Sequence, residues 1–367
     1  MVEASHIQFF DAGIAPEHEL LGGKCASLVT MTAAGMPVPP GFAVTTRLYD
    51  TFIERSGVAV EIGRLLSSLE PDDIDAVDAA SGQIRELVCS RELPAELRAD
   101  VVAAYGALQS RFDAAVPVAV RSSATAEDLP GASFAGQQDT YLWLRGADAV
   151  LEHVRRCWAS LYTRRAILYR LRNQIPDAGL SMAVAVQKMV NAKAAGVAMT
   201  MDPTNGDRSK ITIDASFGLG ELVVSGQVTP DNIVLDKVML CVVSQSIGDK
   251  HVELVPDLAA GRLVEREVDE ERRRRACLSL AELTAVAAMA KKAERHYGCP
   301  QDVEWALDAD LPDGQNLLLL QSRPETVHSA APTARVLDQT PASPAPASSG
   351  FSLAGMTSRL TSGPPRT

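Results

Sequence analysis

Basic residues are scarce in this chain: 35 Lys and Arg stand against 46 Asp and Glu, for a net charge of -11. That balance excludes a nucleic-acid or anionic-membrane binder, because phosphate contacts of that kind need a basic face. A few arginines or lysines gathered at a confined anion site remain compatible with it. No stretch approaches the roughly 20 apolar residues that a membrane-spanning helix requires. The opening run MVEASHIQFFDAG carries an early acid and no long apolar core, so it does not read as a signal peptide. The six cysteines (Cys25, Cys89, Cys157, Cys241, Cys277, Cys299) are scattered, with no C-x-x-C pair and no histidine at ligand spacing. A disulfide framework and a zinc site are both unexpected, and reduced thiols of a cytoplasmic protein are the natural reading. Aromatics are only 5%, yet 46% hydrophobic content over 367 residues suffices for one large core or two moderate ones.

What is present centres on Val118 to Tyr141, VAVRSSATAEDLPGASFAGQQDTY. The apolar run Val118–Val120 delivers Arg121 to the mouth of a strand. The residues after it are small and polar, and Ser122, Ser123, Ala124, Thr125 and Ala126 are expected to leave N–H groups and hydroxyls accessible. Gly131 and Gly136 allow turns and close backbone approach. One guanidinium followed by exposed donors suits a polyanion that is gripped and then covered. The same composition also describes a surface loop with an incidental arginine.

Upstream, LGGKCASLVTMTAAGMPVPPGFAVTT reads as glycine turn, helix over Ala26–Ala34, stop at Gly35, and a short strand over Phe42–Thr45. Lys24 at a helix start opposes the dipole unless an anion sits there too. An ordinary exposed lysine is the alternative. Residues 46–115 form an amphipathic helical scaffold, with a capping pattern near Pro71–Asp75 and Pro94 in a first turn. Asp139–Leu144 alternates as a strand, and Ala147–Gln174 reads as one long basic helical region, its arginines forming a solvated face over an apolar stripe rather than a binding patch. From Ser181 the texture is β, with turn clusters that predict an antiparallel sheet. Gly-Leu-Gly at 218–220 follows no βαβ rhythm, so a dinucleotide-binding fold is rejected. Ser279 with Glu282 makes a capping box for Leu280–Tyr297, closed by Gly298. Gln301–Leu307 and Asn316–Gln321 are strands. Glu304 alternates to the face opposite Val303 and Trp305, and Gln321 and Arg323 share a face. Such a carboxylate, amide and guanidinium either meet a ligand or are structural. From about 329 the composition turns to Ala, Pro, Ser, Thr and Gly, which predicts a disordered tail.

The long segment at 118–141, with GGKCASL, VQKMV, DASFGLGELVVSGQVTPD and QDVEWAL, resembles the ATP-binding domain of the phosphoenolpyruvate synthase, pyruvate phosphate dikinase and rifamycin phosphotransferase family. The resemblance covers roughly residues 8–328. It departs at Cys25, where a Gly or Asn is usual, and at Asp214, where Glu is usual. It implies an α+β, ATP-grasp fold of two lobes with nucleotide between them: 1–180, 181–328, and a tail over 329–367. By this resemblance Lys24 and Arg121 are phosphate ligands, and Gly136 and Thr140 belong to a lid over the phosphates. Gln187, Met189 and Val190 form the adenine slot, with main-chain groups reading the base edge. Glu304 and Gln321 are Mg2+ ligands, Arg323 stabilises charge on the transferred phosphoryl group, and Glu221 lies near the nucleotide. Lys24, Arg121 and Arg323 are thus the expected catalytic groups, with ATP and Mg2+ as cofactors.

Family members pass a phosphoryl group through a histidine on a swivelling domain. None of His6, His18, His153, His251, His296 and His328 lies in a loop of that carrier type. The chain is therefore expected to be the ATP half of a split enzyme, with a partner subunit supplying the histidine and the acceptor site. A phenol, cresol or aromatic alcohol is the favoured acceptor, and pyruvate or a rifamycin the alternative. An ATP-sensing module without transfer, and a fragment of a longer gene product, are competing readings.

Overall fold

The computed structural model describes residues 5–125, 139–176, 179–326 and 328. Gly131, Gly136 and the expected tail from 329 lie outside the described residues. The first sheet holds Ile7–Phe9 (β1), Gly41–Val44 (β2), Val118–Ala124 (β3), Thr140–Leu144 (β4) and Met182–Lys188 (β5). Its spatial order is β1-β2-β5-β3-β4. Ala192–Met199 (β6), Lys210–Phe217 (β7), Asp231–Asp236 (β8) and Val242–Ser246 (β9) begin a second sheet. A hairpin of Val252–Asp257 (β10) and Arg262–Glu267 (β11) follows. Gln301–Asp308 (β12) and Leu317–Pro324 (β13) then return, giving the second sheet the order β13-β12-β6-β7-β8-β9. The helices are His18–Ala33 (α1), Thr46–Arg55 (α2), Val58–Leu66 (α3), Ile74–Ser90 (α4), Ala95–Gln109 (α5), Ala147–Ala159 (α6), Arg164–Asn173 (α7), Glu221–Val224 (α8), Glu270–Arg273 (α9) and Leu280–Tyr297 (α10). None of the described helices is long and apolar enough to cross a membrane.

The first sheet is buried on both faces, and β5 shows why. Met182, Val184 and Val186 enter a cluster with α2–α7, while Ala183 and Ala185 enter another with α1 and α10. Alanines on that second face let α1 approach the sheet closely. Strand β5 is hydrogen-bonded between β2 and β3. A boundary drawn at 180 therefore falls before a strand of the first sheet, and the chain crosses to the second at Met189–Asn191. Alternation marks a strand but does not name its neighbours.

Several expected elements take the anticipated form. Asp73 caps α4 by accepting from the Ala76 N–H, and the Ser279–Glu282 capping box opens α10, which Gly298 closes at φ 72°. Pro94 is itself the N-cap of α5. The long helix expected over 147–174 is broken. A 3-10 turn at Ser160–Tyr162 intervenes, and Thr163 restarts the chain by accepting from the Ala166 N–H. Arg170, expected on a solvated face, is only 2% exposed and donates to the Leu161 carbonyl at 2.7 Å. Strands β9–β11 were not legible. β9 is exposed along its whole length, so no apolar alternation announces it. The β10–β11 hairpin is tied down by Glu253, whose carboxylate accepts from Arg266 at 2.9 Å and from Arg272 at 2.8 Å. Burial pushes that carboxyl up, and the two arginines outweigh it and hold it below the usual range.

Candidate functional site

Two side chains of the first sheet bond to the second: Lys188 of β5 reaches Asp308 of β12 at 3.1 Å, and Arg121 of β3 makes the contact that frames the site. Arg121 occupies the middle of β3 and is the one residue of that strand that is not buried. Its Nη2 donates to Gln321 Oε1 at 2.6 Å and to Glu304 Oε2 at 3.2 Å, and Nη1 donates to the Leu320 carbonyl at 3.2 Å. Glu304 and Gln321 are direct cross-strand partners on β12 and β13. Just beyond them the register shifts, because Trp305 pairs with Leu319 and leaves Leu320 as an extra residue. That bulge turns the Leu320 carbonyl toward the guanidinium.

Beside this contact lies a slot of about 170 Å3, lined among others by Ala119, Arg121, Thr140, Leu142, Gln187, Lys188, Met189, Val190, Gly220, Glu221, Glu304 and Ala306. Pockets for whole drug-sized ligands run to roughly 300–1,000 Å3, so this one is sized for part of a ligand. Its lining is mostly apolar, with Met189, Val190, Leu219 and Ala306 in one buried cluster, and it also carries the charged Arg121, Lys188, Glu221 and Glu304. An apolar surface beside charged groups is the division a purine nucleotide presents. A wider cleft of about 1210 Å3, lined by residues such as His6, Asp50, Glu54 and Asp100, lies apart from this contact and shares none of its residues.

Lys24 is held nearby by a local break in α1. Gly22 has φ 64° and ψ 173°, so Leu21 and Gly23 belong to separate helical turns. Ser123 repairs the break: its hydroxyl donates to the Leu21 carbonyl at 2.8 Å and accepts from the Cys25 N–H at 3.0 Å. It caps the second turn from outside the helix. Lys24 Nζ donates to the Ser122 carbonyl at 2.8 Å, one residue from Arg121. Ser122 and Ser123 are fully buried and paired with β5, which corrects the expectation that their hydroxyls are accessible. Cys25 is also fully buried, and Lys24 is 8% exposed.

Of the other expected site residues, Thr140, Gln187, Met189, Val190, Glu221 and Glu304 line the slot, and Gln321 joins it through Arg121. Gly136 lies outside the described residues. The Met189 N–H is taken by the Pro117 carbonyl at 2.9 Å, and the Gln187 amide donates to the Pro39 carbonyl at 3.1 Å. Arg323 does not line the slot. The guanidinium beside Gln321 is that of Arg121, while Arg323 Nε lies 3.6 Å from Asp302, its cross-strand partner. Nothing in the sequence marks Asp302, because only its register with Arg323 singles it out. Burial raises its carboxyl above the usual range; Arg323 opposes that rise, and Glu325 and Glu304 add to it. Leu142 and Ala306 were missed too. Leu142 shares a bulge with Trp143, both standing opposite Ala119, and Trp143 takes the unusual φ of 61°.

Glu304 and Gln321 can serve a hard cation. Their oxygens converge on one guanidinium nitrogen, which is where a positive ion between them would sit, and carboxylate and amide oxygens are donors that Mg2+ accepts. Among the described residues no group of three or more His, Cys, Asp or Glu is placed to hold a metal. The remaining ligands would then be water and phosphate oxygens, the usual Mg2+ environment.

Comparison with known proteins bears on the same residues. The family described as "Pyruvate phosphate dikinase, AMP/ATP-binding domain" matches residues 18–343. A "Probable phosphoenolpyruvate synthase" from Methanothermobacter thermautotrophicus is 43% identical over 323 residues, covering 88% of this chain and 46% of that protein. A "Phosphoenolpyruvate synthase" from Pyrococcus furiosus is 38% identical over 371 residues, covering 91% of this chain and 45% of its own length. One from Pseudomonas aeruginosa is 42% identical over 327 residues, covering 85% and 41%. The chain thus spans less than half the length of each of these relatives. D-cycloserine synthetase DcsG aligns with 80% of the chain at a TM-score of 0.23 and 15% identity, too low to carry an argument. On the breadth of the family match and the identity to these relatives, the chain belongs to the pyruvate phosphate dikinase AMP/ATP-binding domain family.

Proposed function

We propose that this chain binds Mg-ATP between its two sheets in an ATP-grasp arrangement. It then transfers a phosphoryl group to a histidine outside these residues, with release of AMP and phosphate. That histidine is carried by a partner subunit or by a further segment of a longer chain. One observation carries the reading: Arg121 of the first sheet meets Glu304 and Gln321 of the second along a mostly apolar slot that Arg121 and Glu304 help to line. In this reading the base enters among Gln187, Met189 and Val190, with Glu221 close to the nucleotide. Lys24 and Arg121 bind phosphate oxygens, and Gly136 and Thr140 help to cover them. Glu304 and Gln321 hold Mg2+, which when bound neutralises charge on the phosphates. Arg323 stabilises charge on the group in transfer. No activated protein nucleophile is needed here, since phosphoryl transfer depends mainly on positioning and electrostatics.

The retention of Glu304, Gln321 and Arg323 together argues against a module that only senses ATP. For the final acceptor, the relatives' name favours pyruvate over the phenol, cresol or aromatic alcohol expected from the sequence. ATP labelled at the β-phosphate tests the whole reading. Incubated with this chain and host protein fractions, it should yield AMP and an acid-labile label on a histidine. Added pyruvate should then discharge that label, whereas discharge by a phenol would restore the aromatic acceptor. Tight ATP binding with all label retained in ATP would support the sensing module instead. Glu304→Ala is expected to weaken Mg2+-dependent ATP binding by about tenfold or more, through loss of a charged ligand. Calorimetric titration at several Mg2+ concentrations checks this, and an unchanged Mg2+ dependence would remove Glu304 from the metal site.

A further inference from the structure

We infer that Arg121 is a placeholder cation: without nucleotide its guanidinium occupies the position between Glu304 and Gln321 and keeps free metal out of it. The inference rests on the reading above that these two residues hold the metal. Both oxygens accept from the same Nη2, at 3.2 Å and 2.6 Å, and Nη1 is anchored separately on the Leu320 carbonyl at 3.2 Å. The Arg121 side chain is 12% exposed and that of Glu304 is 29% exposed, so water screens the contact only partly.

A divalent ion bound by these oxygens would sit about 2.0–2.1 Å from each, inside the space the guanidinium nitrogen now fills. Two cations cannot share that point, so the metal enters only as Arg121 leaves. A nucleotide's phosphates offer the guanidinium a bidentate alternative of matching geometry. Nucleotide and metal are therefore coupled through one side chain, and each favours the binding of the other. The contact also joins β3 to β12 and β13, so the metal ligands are held in place across the cleft before the metal arrives. Arg121 is in this sense a positioning residue for Glu304 and Gln321.

Mn2+ alone, followed by electron paramagnetic resonance without nucleotide, tests the inference directly. Arg121→Gln should bind Mn2+ about tenfold more tightly than the unaltered protein, because the competing charged hydrogen bonds are gone. The gain should vanish in the double variant Arg121→Gln, Glu304→Gln. An unchanged or weaker Mn2+ affinity in Arg121→Gln, or a gain that survives in the double variant, would overturn the inference. Should Arg121→Gln fail to fold, Arg121→Lys carries the test. Its ammonium is a single point charge of shorter reach and cannot bridge as the planar fork does, so a smaller gain supports the placeholder role and no gain overturns it. A parallel titration of Mn2+ with ATP present separates the two readings. If Glu304→Ala leaves nucleotide-dependent Mn2+ binding intact, the metal-ligand assignment itself fails. If it weakens that binding while Arg121→Gln shows no gain with Mn2+ alone, only the placeholder role fails.

Discussion

Arg323→Ala is expected to reduce phosphoryl transfer by about 10³-fold or more while leaving Mg-ATP affinity nearly unchanged. Arg323 follows Gln321 by two places on β13, on the same face, yet its side chain is 59% exposed and does not line the slot. Its charged neighbour on that face is Asp302, at 3.6 Å. A base and triphosphate held by the slot, Lys24 and Arg121 would therefore lose little ground-state contact when Arg323 is removed. The loss falls on the transfer step, where a guanidinium meets charge that develops on the moving group. Stability should fall by no more than about 1 kcal/mol, since Arg323 is itself exposed and water screens its pairing with the half-buried Asp302. Label transfer, nucleotide titration and thermal unfolding of the same variant check the three expectations together. Substantial residual transfer would remove Arg323 from the chemistry, and a large fall in ATP affinity would make it a binding residue.

Gly22→Ala should destabilise the protein by at least about 3 kcal/mol and weaken nucleotide binding with it. Two costs add at this position. The backbone at φ 64° and ψ 173° lies in a region that is essentially reserved for glycine. A Cβ there would also stand 2.2 Å from the Ser123 carbonyl oxygen and 2.7 Å from its carbonyl carbon. The obstacle is strand backbone, with Ser123 paired to Ala183 of β5, so it cannot swing aside as a side-chain tip would. Relief requires α1 to lift from β3, which breaks the Ser123 bonds to Leu21 and Cys25 and carries Lys24 away from Ser122. Denaturant unfolding reports the stability loss, and nucleotide titration below the unfolding transition reports the displaced lysine. Near-native stability would show that the helix break tolerates a side chain.

The asymmetry between these sites shows what the sequence carries. Gly22, Lys24, Arg121, Glu304, Gln321 and Arg323 stand out in the chain because a glycine and polar or charged groups sit where a helix or strand pattern has no use for them. The capping box at Ser279 and Glu282 and the alternation of β12 are legible for a similar reason: local geometry alone sets them. Family membership rests on such local motifs, and it too was available from the chain. Strand partnership was not. Met182–Lys188 reads as a strand from its alternation, yet its place between β2 and β3 depends on which surfaces its two apolar faces cover. Ser122 and Ser123 look like loop residues because serine is small and polar. Only the approach of α1 and β5 buries them and uses a hydroxyl as a cap. The pairing of Asp302 with Arg323, and of Arg121 with Gln321, likewise depends on register and on a bulge at Leu320. The sequence by itself determined which residue types are available for an anion and a cation, since those depend on side-chain chemistry. The tertiary structure alone decided which guanidinium meets which oxygen, because Arg121 and Gln321 are 200 positions apart and come together only when two sheets close on each other.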